Sequence, residues 1–91
     1  MHPIVEKYGK QLIKELLDII FITKKIESEV AYNLLLKHKI ITRRTKTVYG
    51  YIYKGYNNNR IYFTNSRGKY ILDVRILDED MPKVLEDLCL E

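Results

Sequence analysis

Between Lys37 and Tyr70 the chain carries nine cations, Lys37, Lys39, Arg43, Arg44, Lys46, Lys54, Arg60, Arg67 and Lys69, and no Asp or Glu. Six of its eight tyrosines lie in the same stretch: Tyr49, Tyr51, Tyr53, Tyr56, Tyr62 and Tyr70. Cations interleaved with aromatics supply what a polyanion reader needs, counter-charge for phosphates and flat rings on which bases or sugars stack. No grouping points as clearly to a reaction. The chain has no Gly-rich phosphate loop, no Ser/His/Asp set and no metal-ligand spacing. His2 and His38 are far apart in sequence, and the single Cys89 excludes an internal disulfide or an all-cysteine metal site. Asp73 is the one carboxylate placed to serve a nuclease on the basic face. Its strand position favours pairing with Arg75, Arg60 or Lys69 instead. The expectation is a non-enzyme without metal or cofactor.

The net charge of +4 conceals a division along the chain. Over residues 1–22, Lys7, Lys10 and Lys14 balance Glu6, Glu15 and Asp18. From Asp73 onward Asp73, Asp78, Glu79, Asp80, Glu86, Asp87 and Glu91 stand against only Arg75 and Lys83. A basic middle followed by an acidic end implies a polyanion-binding face with the acids turned elsewhere, or set against the basic part of a neighbouring copy. Ninety-one residues make a single domain. There is no basic region followed by an unbroken apolar core, and the longest apolar runs are too short for a membrane span. The expected location is the cytoplasm, that of a host if the chain is viral. Ile, Lys, Tyr and Asn have AT-rich codons, which fits a low-GC genome, archaeal, viral or bacterial.

The elements that position these residues follow from periodicity. Val5, Tyr8, Leu12, Leu16, Ile19 and Ile20 recur at spacings of three and four after Pro3, predicting an amphipathic helix of about 17–20 residues, weakened at Gly9. A second helix is predicted over about 24–39, capped by Thr23 or Ser28, with Ile26, Val30, Leu34 and Ile41 as its apolar stripe. Its cationic last turn suits the helix dipole. After Thr42 the period changes to two, predicting strands at Thr47–Lys54, Arg60–Asn65 and Lys69–Leu77. Asn/Gly-rich turns at 55–59 and 65–68 separate them. Short loops imply an antiparallel meander, one face aliphatic against the helices, the other carrying Tyr49, Tyr51, Tyr53, Tyr62 and Arg60 with Arg75 and Asp73 nearby. On the third strand, alternation assigns Tyr70 to the aliphatic side with Leu72, Val74 and Ile76. Asp78-Glu79-Asp80 precedes a final short helix from Met81-Pro82, with Val84, Leu85 and Leu88 apolar. The fold class is α+β: two N-terminal helices, a three-stranded antiparallel meander and a short C-terminal helix.

The run Leu34-Leu35-Leu36-Lys37-His38-Lys39-Ile40-Ile41-Thr42-Arg43-Arg44 resembles the end of a winged-helix recognition helix, with Tyr49–Lys54 and Arg60–Asn65 as wing strands, over about residues 24–72. The resemblance implies a helix in the major groove of DNA, with the wing and Arg43, Arg44 and Lys46 on phosphates. Two features depart from it: Phe21–Lys25 leaves no room for the intervening helix, and a third strand and a helix follow the wing. Double-stranded-RNA-binding domains share an α-β-β-β-α order, but Asp78–Asp80 stands where their lysine-rich helix start would be.

The leading expectation is a DNA-binding regulator, homodimeric, contacting nucleic acid through Lys37, Lys39, Arg43, Arg44, Lys46, Tyr51, Tyr53, Lys54, Arg60, Tyr62, Arg67 and Lys69. The competing expectation is an interaction module, or an inhibitor of a host factor, whose tyrosine-rich sheet face is a protein interface, since Tyr and Arg concentrate at hot spots. Tyrosines are also good strand formers, so their number alone does not decide between the two.

Overall fold

A computed structural model describes residues 1–44 and 47–89. The elements in order are α1 (Pro3–Tyr8), α2 (Lys10–Ile22), α3 (Ser28–Lys37), β1 (Val48–Gly55), β2 (Asn58–Asn65), β3 (Tyr70–Leu77), a 3-10 turn (Asp78–Asp80) and α4 (Met81–Cys89). The α+β class and the antiparallel meander, in the order β1-β2-β3, are as the periodicity predicts. Among the described residues no helix is long and apolar enough to cross a membrane.

The first helix differs from expectation, because Gly9 divides it. At φ 86° and ψ 152°, Gly9 ends α1 and begins α2. Its N–H donates to the Val5 carbonyl at 2.8 Å, and its own carbonyl accepts from the Ile13 N–H at 3.2 Å. The break re-aims the second segment, so Ile13 and Leu17 are buried beside Leu12, Leu16 and Ile20, while Ile19 is only partly covered. Helix α3 begins at Ser28 rather than near residue 24. Ile26 instead forms an isolated bridge to Gly50 of β1. A Cβ on Gly50 would lie 2.8 Å from the Ile26 side chain, so this crossing requires glycine. With the start displaced, Ala31, Tyr32, Leu34 and Leu35 form the buried face of α3, and Val30 is exposed.

Helix α3 ends in a Schellman motif. The Lys39 N–H donates to Leu36 O and the Ile40 N–H to Leu35 O, with Lys39 in the left-handed conformation at φ 57°. In the sheet, Ile61, Phe63, Leu72, Val74, Ile76 and Val48 join the helical side chains in one core. Every buried apolar residue of the sheet lies on the side that packs on the helices. Val84 of α4 is wholly buried, Leu85 is half-exposed, and Asp87 is enclosed completely. The Asp87 carboxylate accepts the His2 backbone N–H and lies 3.0 Å from Lys83 Nζ, which ties the start of the chain to α4. The His2 hydrogen bond and the Lys83 ammonium hold its pKa below the usual carboxylate range against the opposing effect of burial.

Two substitutions check this backbone. Within a continuous helix Gly→Ala would stabilise by about 1 kcal/mol. At the Gly9 joint it forces a side chain into glycine-only space, so Gly9→Ala lowers stability by about 1–3 kcal/mol in denaturant unfolding. Lys39→Gly removes a left-handed strain and raises stability by about 1 kcal/mol.

Candidate nucleic-acid interface

The side of the sheet away from the helices is open, and its registers define a grid. Across β1, β2 and β3 the rows read Tyr49–Thr64–Tyr70, Tyr51–Tyr62–Asp73 and Tyr53–Arg60–Arg75. Tyr70 reaches this face because of a bulge. Phe63 pairs with Leu72 but Thr64 pairs with Tyr70, so Ile71 is the extra residue and the alternation of β3 reverses there. This corrects the placement of Tyr70 among the aliphatic residues. Ile71 packs against the margin of the core.

The face is held together by its own side chains. Arg60 donates from Nε and Nη2 to the two Asp73 oxygens at 2.8 and 2.9 Å. Its guanidinium carbon lies 4.1 Å from the Tyr62 ring centroid and 5.2 Å from that of Tyr70. Tyr62 stacks on Tyr51 at 5.0 Å and meets Tyr70 edge-on at 5.7 Å. Arg75 Nη2 stands 3.7 Å from the Asp73 carboxylate. The hydrogen bonds from Arg60, reinforced by the charges of Arg60 and Arg75, hold the Asp73 carboxyl below its ordinary range despite partial burial. The same pair, with a contribution from Tyr70, keeps Arg60 charged. Two guanidiniums against one carboxylate leave one net positive charge on the face. Tyr49, Tyr51, Tyr53 and Tyr70 remain 44–55 % exposed, so the rings are ordered yet accessible.

One end of this face is basic. Val48 pairs with Asn65, so the turn carrying Arg67 and Lys69 sits beside the point where the preceding loop enters β1. Asn65 fixes that turn: its Oδ1 accepts the N–H of Arg67 at 2.9 Å and of Lys69 at 3.1 Å. Gly68, at φ 77°, completes the reversal. Arg67 and Lys69 are exposed and make no ion pair with a described residue. The opposite end is acidic. Tyr56 stands 94 % exposed at the β1–β2 turn, whose Asn57 is at φ 63°. There the Asp78 N–H donates to Asn57 O at 3.0 Å, and Asn59 Nδ2 donates to Asp78 Oδ1 at 2.6 Å.

The expected contact residues therefore divide. Tyr51, Tyr53, Arg60 and Tyr62 share the open face, and Arg67 and Lys69 its basic end. Lys37 is engaged with Glu15 of α2, as is His38, and these partners lower the Glu15 pKa. Arg44 is paired with Glu29 at the start of α3 and lies 4.4 Å over the Tyr32 ring. Lys39 and Arg43 are exposed in the loop after α3. Lys54 approaches the ring of Phe21 on α2, 5.8 Å from its centroid, away from the tyrosines. Lys46 lies outside the described residues. The sequence places Tyr49 on this face and Arg75 near it, without assigning either a contact. Nothing in the alternation pattern reveals Tyr70, because a one-residue bulge leaves no mark in composition.

Among the described residues no group of three or more His, Cys, Asp or Glu is placed to hold a metal ion. Comparison with protein-family models, with curated protein sequences and with solved structures finds no match.

The Arg60–Asp73 pair is predicted to set the order of the rings. Since the Asp73 pKa is depressed, the pair stabilises this arrangement above the ordinary carboxylate value and is lost as pH falls below about 4. Asp73→Asn is expected to diminish the near-ultraviolet tyrosine circular dichroism at neutral pH while the far-ultraviolet spectrum persists. A full near-ultraviolet signal in that variant would show that the rings order without the pair.

Proposed function

We propose that this chain binds nucleic acid through the open face of its sheet. The observation that carries the reading is the junction of an accessible, internally stacked tyrosine face with a rim of unpaired cations on a rigid turn. Arg67 and Lys69, with Arg43 and Arg75, are the phosphate contacts; Tyr49, Tyr51, Tyr53 and Tyr70 supply ring surface for bases or sugars. Lys37 and Arg44 already have carboxylate partners, so a nucleic acid would have to displace Glu15 or Glu29 to use them. Contacts by the rings and the basic turn need no such exchange.

The test is equilibrium binding to labelled oligonucleotides at a series of salt concentrations. The log–log slope should be negative and amount to about 0.7–0.9 per phosphate contacted. Replacing both Arg67 and Lys69 by Gln should weaken binding and reduce that slope by about 2. Absence of binding at low salt to any nucleic acid would refute the reading. The tyrosine face would then be understood as a protein interface, rich in the residues that concentrate at hot spots.

A further inference from the structure

We infer that the ligand of this face is a single strand rather than a duplex, an inference that rests on the proposed nucleic-acid reading. Reading a duplex through its major groove takes a protruding element, an α-helix or a two-stranded ribbon, with a surface that tolerates the flanking phosphates. Among the described residues three elements stand out as candidates: α3, the β1–β2 hairpin and the β2–β3 hairpin. The outward face of α3 presents Glu29, Val30 and Asn33 to solvent, with Glu27 just before its first turn, and its terminal Lys37 is paired with Glu15. The β1–β2 hairpin ends at Tyr56 and Asn57, and its tip is braced by Asp78, with Glu79 exposed next to it. The first two would bring carboxylates toward the phosphate backbone; the β2–β3 turn has none, and its Arg67 and Lys69 are charges that position a phosphate chain without reading bases. The surface that joins cations to accessible rings is the sheet face, three strands wide and so broader than the α-helix or two-stranded ribbon that the major groove of B-DNA admits.

A flat aromatic face matches unstacked bases, whose π-surfaces are exposed only in a single strand. Its size fits too. Neighbouring strands are about 4.8 Å apart and same-face residues along a strand about 6.8 Å apart, so the three-by-three grid spans roughly 10 by 14 Å, space for two or three bases. The strand's phosphates then continue past Tyr49 and Tyr70 onto Arg67 and Lys69. The net charge of the grid itself is small because Asp73 offsets one guanidinium. Stacking therefore supplies the part of the affinity that is insensitive to salt, and the turn supplies the sensitive part.

The experiment uses the full chain and three probes of matched sequence and about twelve units length: oligothymidylate, oligouridylate and a blunt DNA duplex. Binding is followed by fluorescence anisotropy and by tyrosine emission. Either single strand is expected to bind about tenfold or more tighter than the duplex, with quenching of tyrosine emission. The ratio between the two single strands identifies DNA or RNA as the source. Tyr51→Ala and Tyr70→Ala should each weaken single-strand binding about tenfold with an unchanged salt slope, and the Phe variants should restore it. Equal or tighter duplex binding overturns this inference and leaves the proposed function standing. No binding of any probe at low salt overturns both.

Discussion

The structure depends on an asymmetry of its sheet: among the described residues, helices cover one face of the three strands and leave the other open. On the covered side Ile61 and Phe63 of the central strand are wholly buried with Ile13, Leu16 and Ile20 of α2. The open side has no such core to order its side chains, and five large rings there would otherwise be free to choose rotamers. The Arg60–Asp73 fork replaces the missing layer. A planar guanidinium held by two carboxylate oxygens is a rigid plate, and the Tyr62 and Tyr70 rings lie against it. Order on this face therefore comes from a polar clamp at its centre, with aromatic contacts extending from it to Tyr51 on the edge strand.

Ion pairs on the helical side bear on which cations are available. Glu15 bridges α2 to the end of α3 through Lys37 and His38, and Glu29 connects the start of α3 to Arg44 in the following loop. These pairs link elements that share little apolar contact, and being partly exposed each contributes modestly to stability. Their greater effect is to determine which positive charges remain available. A stretch that is uniformly basic in sequence becomes, once folded, Lys37 and Arg44 engaged on the helical side, Arg60 engaged on the open face, and Arg67 and Lys69 at one end of the sheet without an ion pair to a described residue.

The strands and the meander were legible because period-two alternation and Asn/Gly turns are local signals. Each departure came from something the local signals do not carry. Gly9 reads as a weak point in a helix, and only its positive φ, imposed by docking two segments at different angles, makes it a joint. Ile26 continues a helical stripe on paper but is drawn into β1 because Gly50 leaves a hollow for it. Tyr70 changes side through one extra residue at Ile71. Asp87 occupies a position that a charged residue rarely takes, and its partners at His2 and Lys83 include one 85 residues away in sequence. The residues of the open face could be nominated from sequence, but the stack that unites them and the pairs that remove Lys37 and Arg44 are tertiary contacts with no local trace.

The acidic run after β3 completes the electrostatic logic. Asp78, Glu79 and Asp80 precede α4, where negative charge is favoured by the helix dipole, and Asp80 also lies 3.5 Å from His2 Nε2. Asp78 is hydrogen-bonded to Asn57 and Asn59, which holds its carboxylate beside the hairpin tip. An acidic run that suits the start of the helix thus makes one end of the sheet negative, while the Asn65 turn makes the other positive. Along β-strands that carry tyrosines between those ends, the potential acquires a direction. If the face binds a phosphate chain as proposed, these charges would draw it toward Arg67 and Lys69 and keep it from the tip.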